Sequence, residues 1–309
     1  MVTLHWRIVT SAAPERNAVL PDAGAPGIVE SPPATQRSEA TMSDDNFYQS
    51  HWIDVEPERR ERYEAMFQWR DASEPLIASA DIAAGQTVVD YGCGPGGLAI
   101  ELARRVGADG QVYGVDLNAG FLETTRARAA EAGVEARLDT RLLDGDVIPL
   151  DDATADRLIC KNVLEYVPDP ARTLDEFHRV LKPGGVAHVI DSDWGAFMYE
   201  SGHQQDADDF AEVMRGAQIA FRTPHIGRRL YGLFRQAGFG SVQVRVLATP
   251  DVKGGMRSVL TNMASYARQS GDVPEALLSR FSSGLDAAVE ADTFFAMLPQ
   301  FLVTGVRQG

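Results

Sequence analysis

The sequence predicts an α/β protein: a doubly wound, mostly parallel sheet of seven strands with helices on both faces. This Rossmann-like core carries a helical N-terminal segment and a helical insertion before the last strand. Three observations predict it. Short apolar runs alternate with amphipathic stretches of ~10–15 residues through the middle of the chain, the signature of right-handed βαβ units. A glycine-rich turn follows directly on the first of those runs. The composition, 44% hydrophobic and 24% charged over 309 residues, is that of a globular chain with enough apolar material for one large core or two modest ones.

The elements follow in order. Residues 1–44 are rich in Ala, Pro, Gly and Ser and show no period of 2 or 3.6. They are expected to form a disordered N-terminal extension, because they bury too little apolar surface to offset their ordering entropy. Met42 is an alternative start to Met1. Residues 45–82 read as a helical, aromatic cap interrupted at Pro75, and residues 83–309 as the main domain. The half from 83 to 192 holds the regular alternation. Strands are expected at 87–90, 111–116, 136–143, 156–160 and 186–190, and helices at 97–105, 119–132 and about 170–180. Gly133 stops the second helix, and Leu181–Gly185 (LKPGG) forms a tight turn before the fifth strand. In the half from 193 to 309 the pattern loosens. Helices are expected at 206–222, 226–237, 255–269 and 274–290, with strands at 241–247 and 296–307. A tail of this kind closes the sheet and carries a lid.

Composition excludes several functions. The formal net charge is −15 and no basic run stands out, against a nucleic-acid binder that must neutralise phosphates and against docking on anionic membranes. No apolar run approaches the ~18–20 residues that span a bilayer, and no signal peptide is read, so the expectation is a cytoplasmic protein without membrane insertion. Cys93 and Cys160 make neither a metal-type spacing nor a disulfide framework. No metal site is expected.

The chemistry concentrates in the turn Asp90-Tyr91-Gly92-Cys93-Gly94-Pro95-Gly96-Gly97. Glycines there let the backbone approach a ligand and take φ > 0, and ligands of doubly wound sheets bind outside the carboxyl ends of the strands. Asp116 ends the second strand about 20 residues later, where a carboxylate accepts hydrogen bonds from the two hydroxyls of a ribose. Gly92, Gly94 and Gly97 also satisfy G-x-G-x-x-G, so these features alone leave a dinucleotide fold open.

Over Val88–Ile190 the chain resembles the class I S-adenosylmethionine-dependent methyltransferases, specifically the small-molecule group that includes the ubiquinone/menaquinone-type enzymes. VVDYGCGPGG resembles that family's first motif and VYGVD its ribose-binding strand end. DGDVIPL resembles the segment after strand three, DRLIC the fourth strand, VLEYVPDP the loop after it, and LKPGG the turn before strand five. The resemblance implies S-adenosylmethionine as cofactor and a small-molecule acceptor, with a homodimer compatible. It implies that Gly92 and Gly94 pass the methionine part, that Asp90 holds its ammonium, that Asp116 takes the ribose and that Leu117 packs on the adenine. It further implies that Asp144 accepts from the adenine amine with the Gly145 backbone beside it. Lys161 and Asn162 would make contacts after strand four, and Tyr48 would close over the cofactor from the cap. Tyr166 stands where the family often has His.

The acceptor pocket is expected from segments outside this match: His51 and Trp52, Trp194, Phe197, Tyr199, Phe221 and Arg222, all open equally to a core-packing role. A base is needed only if the acceptor must lose a proton, and His203 and His225 are the candidates. His178 and His188 are expected to be structural. Asp191 and Asp193 either orient a substrate or face water. The alternative functions are a nicotinamide-dependent oxidoreductase and a catalytically inactive cofactor-binding module.

Overall fold

The computed structural model describes Trp52, Ile53, Val55, Arg60, Glu61, Tyr63, Glu64 and residues 67–309. The expected extension over 1–44, Tyr48 and His51 lie outside the described residues, as does part of the expected cap. In chain order the strands are β1 (Thr87–Tyr91), β2 (Gln111–Asp116), β3 (Leu138–Leu142), β4 (Ala155–Lys161), β5 (Leu181–Ser192), β6 (Met198–Glu200), β7 (Phe239–Leu247), β8 (Phe295–Met297) and β9 (Gln300–Arg307). The α-helices are α1 (Glu74–Ile77), α2 (Gly97–Val106), α3 (Ala119–Glu131), α4 (Pro170–Val180), α5 (Gln204–Gly216), α6 (Ile226–Gln236), α7 (Arg257–Ser270) and α8 (Glu275–Glu290).

Neighbouring residues on the central strands feed opposite faces, as a doubly wound sheet requires. Val89, Leu158 and Val189 pack into one core with Phe177 of α4 and Phe234 of α6. Val88, Ile159 and Ile190 pack into another with Leu102 of α2 and Leu122 of α3. Strands buried on both faces read as continuous apolar runs rather than alternating ones. The main sheet has seven strands in the order β3-β2-β1-β4-β5-β9-β7. The first five are parallel, and β9 runs antiparallel to β5 and β7, which bears out the predicted fold class.

Local signals set the helix starts. Asp169 caps α4 by accepting from the Ala171 and Arg172 amides, with Pro170 at the first helical position, where its missing N–H costs nothing. Asn118 caps α3 by accepting from the Phe121 amide.

Five elements depart from expectation. LKPGG continues into β5 instead of preceding it, with Gly184 at φ +82° and a register shift between Ala155 and Arg157. The helix expected to 222 ends at Gly216 and continues as a short 3-10 turn, Ala217–Ala220. The last expected strand divides into β8 and β9 around Leu298 and Pro299, because proline cannot donate to a ladder. The three-residue β6, paired with β8, is too short to leave a period. Pro75 opens α1 rather than interrupting a helix. A separate core is built by α5, α7 and α8 around Val213, Leu260, Leu278 and Phe281. Among the described residues no helix is long and apolar enough to cross a membrane.

Phe177 is fully buried and packs edge-on against Tyr91, ring centroids 4.9 Å apart. Phe177→Ala is expected to cost about 3–5 kcal/mol of stability, read as a lower urea midpoint with an unchanged slope; a loss under 1 kcal/mol would place the ring outside the cooperative core.

Candidate functional site

Because β1 and β2 are parallel and paired through Tyr91 and Val115, their carboxyl tips end side by side. The chain leaving β1 must turn sharply there. Gly92 has φ +74°, and a Cβ on it would overlap the Val163 side chain. Gly94 has φ +52° and open space where a Cβ would stand. The bend is fastened from one side: the Gly92 and Cys93 amides donate to the Val115 carbonyl at 2.7 and 3.0 Å. The Gly94 amide donates to Asp116 Oδ2 at 2.8 Å, and the Thr125 hydroxyl to the Gly94 carbonyl at 2.9 Å. Asp116 Oδ1 accepts from the Asn118 amide at 2.8 Å. The glycine bend and the strand-end acid therefore share one edge of the sheet and touch.

They border a cleft of about 790 Å³, lined by Gly92, Gly94, Asp116 and Leu117, by Leu143, Gly145 and Asp146, and by Lys161 to Pro168 except Leu164 and Glu165. Trp52 and Phe67 of the N-terminal segment line it as well. The Asn118 side-chain amide holds that segment by donating to the Trp52 and Ile53 carbonyls at 2.8 and 3.1 Å. Asp144 departs from expectation: it is exposed and outside the lining, while Gly145 and Asp146 are within it. A backbone bridge from Asp144 to Val147, with Gly145 at φ +64°, makes a tight reversal there.

Under the cleft lies a group of buried charges. Asp90 ends its carboxyl in the core, 2% exposed, and its Oδ2 has no hydrogen-bond partner among the described residues. Burial, aided by the charge of Asp116 and opposed by Lys161, pushes the Asp90 pKa up to about 7. Burial likewise raises Asp116, against the pull of its backbone donors. Lys161, at the tip of β4, is held below the ordinary lysine range by burial, with Asp191, Asp90 and Glu165 acting the other way. A carboxylate acceptor left unpaired in a core costs free energy until a donor arrives, so Asp90 fits an ammonium. Cys93 is buried, and burial together with Asp116 and Asp90 pushes its thiol well up; it is no nucleophile.

Beside the cleft, sharing Trp52, Phe67, Lys161, Asn162 and Tyr166 with it, is a larger cavity of about 1040 Å³. Its far wall is α7 (Val259, Met263, Tyr266), which sequence reasoning missed; its periodicity reads as ordinary core packing. Tyr166 lies between Trp52, tilted against it with ring centroids 4.6 Å apart, and Phe221, stacked on it at 5.6 Å. Trp194 lines this cavity, whereas Phe197, Tyr199 and Phe221 are buried in the core of α5, α7 and α8.

The two candidate bases are not brought here. His203 is exposed at the start of α5. His225 faces a separate cavity with Phe210 and Met214, its Nδ1 3.5 Å from Asp193. Asp191 and Asp193 serve the backbone. Asp191 accepts from the Leu164 and Ser192 amides, and burial pushes its pKa up to about 7; Asp193 binds Arg228 and the Gly195 amide, and Arg228 draws its pKa down against the effect of burial. His188 is fixed between the Thr304 hydroxyl and the Leu76 carbonyl, and His178 packs on Phe239, both structural as expected. The group that does line the cavity, Glu165, carries no sequence signal. Among the described residues no cluster suits a metal ion.

Known proteins were compared with this chain. Residues 89–189 match the family described as a methyltransferase domain. The 2-phytyl-1,4-naphthoquinone methyltransferase of Nostoc punctiforme is 42% identical over 124 residues, 40% of this chain and 54% of that protein. The demethylmenaquinone methyltransferase of Symbiobacterium thermophilum is 29% identical over 211 residues, 60% of this chain and 84% of that one. The chain spans about half the length of the first curated relatives it matches. Among solved structures, the YcgJ protein of Bacillus subtilis aligns with TM-score 0.53 at 19% identity, over 78% of this chain and all of that one. The Haemonchus contortus phosphoethanolamine N-methyltransferase 2, solved with phosphomonomethylethanolamine and S-adenosylhomocysteine, aligns with TM-score 0.55 at 18% identity, over 87% of this chain and 61% of that one. The likeness establishes the class I methyltransferase fold.

The raised carboxyls make stability depend on pH. Asp90 and Asp191 titrate at about 7 in the folded protein against about 3.9 when unfolded. The folded state thus binds more protons over that window, and stability falls as pH rises from about 4 to about 7. Asp90→Asn is expected to raise the ligand-free melting temperature at pH 8 and to flatten its fall between pH 5 and pH 8. Melts showing the variant less stable than the parent at pH 8 would contradict the burial argument.

Proposed function

From a methyltransferase domain at residues 89–189 set in the class I sheet, we propose that this chain binds S-adenosylmethionine and methylates a small molecule. One contact carries the reading: the Gly94 amide on the Asp116 carboxylate, which places a backbone cradle and a ribose-type acceptor at the mouth of one cleft.

When bound, the cofactor supplies a methyl group already activated on a sulfonium. The chain's residues bind and orient. Asp116, whose oxygens accept the Gly94 and Asn118 amides, has lone pairs left for ribose hydroxyls. Asp90, with its orphaned Oδ2, takes the ammonium, and Gly92 and Gly94 let the methionine part approach. Leu117 and Leu143 flank the adenine, with Gly145 and Asp146 at its edge in place of Asp144. Lys161 and Asn162 stand at the seam with the larger cavity. Holding two reactants in line supplies roughly 7–11 kcal/mol of a barrier in favourable cases, so the core needs no base of its own.

The acceptor is proposed to be planar and apolar. The larger cavity is walled by Trp52, Tyr166, Trp194 and Tyr266 with Met263 and Leu298, surfaces that suit a ring system. The names of the naphthoquinone and menaquinone relatives agree with that class. On this reading residues 83–192 hold the cofactor, and 193–309 together with Trp52, Glu165 and Tyr166 hold the acceptor. The two buried, unpaired cysteines agree with the cytoplasm.

Calorimetry with S-adenosylmethionine and with NAD tests the proposal: binding of the first and no heat from the second is expected, and the reverse would refute it. Asp116→Ala is expected to weaken S-adenosylmethionine binding more than tenfold, about 1.4 kcal/mol or more. An unchanged affinity would mean that the ribose lies elsewhere.

A further inference from the structure

Glu165 stands four residues past the tip of β4 and is 1% exposed, yet it lines the larger cavity. Its Oε2 accepts the Trp194 indole N–H, and Tyr166 stands beside the same carboxyl. These groups are neutral, and the charge that offsets its own is that of Lys161. No described cation forms an ion pair with it within 4 Å. The charged and titratable groups around it are Lys161 and Cys160 from β4, Asp191 from β5, Tyr166 beside it, and Tyr63 and Tyr266 on the cavity wall. Next to it, Asn162 Oδ1 is buried without a hydrogen-bond partner among the described residues, and Asn162 lines both the cleft and the cavity. Asn162 is held there with φ +54°, a conformation that costs a non-glycine residue strain. The seam between cofactor cleft and cavity thus offers two hydrogen-bond acceptors, one of them anionic, to whatever occupies the cavity.

We propose that Glu165 takes a proton from the acceptor molecule, and hence that the acceptor is a planar apolar compound with an acidic hydroxyl, as in a phenol or a quinol. This rests on the methyltransferase reading. In the step, the acceptor's O–H bond breaks, its electron pair stays on oxygen and the proton passes to the Glu165 carboxylate, so the pair keeps its single negative charge. The nucleophile is thereby made at the seam, beside the cleft. Burial and the charge of Asp191 raise the proton affinity of Glu165 well above that of an ordinary carboxylate, which narrows its mismatch with a weakly acidic hydroxyl. Trp194 holds the carboxyl in place through its indole N–H. Tyr166 is no competing base, since burial and Glu165 push its own pKa well up.

The test uses 2-naphthol, a planar hydroxyl probe whose excited state gives its proton to an adjacent base and then emits as naphtholate. Bound at about pH 8 to the full chain loaded with S-adenosylhomocysteine, it is expected to show naphtholate emission. Glu165→Gln is expected to lower the naphtholate-to-naphthol ratio at least tenfold while S-adenosylhomocysteine affinity stays within twofold, and Glu165→Asp to restore part of it. An equal ratio in parent and Gln variant, or no binding of 2-naphthol at all, would overturn the proposal. If the Gln variant does not fold, the parent decides: its ratio must fall as pH is lowered and Glu165 takes up a proton, and a flat profile would overturn the assignment. Failure of the parent to bind S-adenosylhomocysteine would instead overturn the methyltransferase reading, and the ratio measured without it still reports on Glu165.

Discussion

The site depends on one hydrogen bond, from the Gly94 amide to the Asp116 carboxylate at 2.8 Å. It ties the bend after β1 to the tip of β2, and both are placed by the parallel pairing of the two strands. A second amide, that of Asn118, binds the other oxygen of Asp116 and starts α3. One buried acid thus sets the glycine bend, the helix start and, through the Asn118 side chain on Trp52 and Ile53, the position of the N-terminal segment over the cleft. Charge-assisted bonds to backbone amides are about twice as strong as neutral ones, which suits a carboxylate that must stay ionised in a core raising its pKa.

The second constraint is the price of burying Asp90, Glu165 and Asp191 around the single ammonium of Lys161. Such an arrangement is poor for stability, because desolvation exceeds what one cation returns. It makes sense at a site completed by a ligand. A bound ammonium would meet the orphaned oxygen of Asp90, and an acceptor hydroxyl would meet Glu165 and Asn162. Strain and unpaired acceptors gather where the three central strands β1, β4 and β5 end, while Val88 and Val89, Leu158 and Ile159, and Val189 and Ile190 below them are buried apolar residues.

The cofactor side is legible in the sequence because it is made by the backbone. A glycine at φ > 0, an acid at a strand tip and a capping residue leave marks at fixed short spacings, and the strands beneath them are continuous apolar runs. The bend at Gly92 and Gly94 and the acid at Asp116 stand at adjoining strand tips. Asp144 illustrates the limit of the method: DGD carries two acids, and only the tight reversal at Gly145 decides that Asp146 lines the cleft. The strand ends blur where chemistry is mixed, as at Leu298-Pro299, where a single apolar run folds into β8 and β9.

The acceptor side is illegible for a different reason. Its walls come from residues far apart in the chain, Trp52, Tyr166, Trp194 and Tyr266, joined only by tertiary packing. Each sits in a stretch whose period is equally that of a buried helix face or turn. Histidine draws attention as a base by its ordinary pKa, but both candidates stand at exposed starts of helices, away from the cleft. The acid in the cavity gains its chemistry from burial, a property of the fold and not of residue type. The division also explains how such a chain changes substrate without changing cofactor. On the proposed reading the grip on the adenosyl group is written into β1 and β2, whereas the cavity is shaped by α7 and the turn at Trp194. Side chains there can be exchanged without disturbing the bond between Gly94 and Asp116.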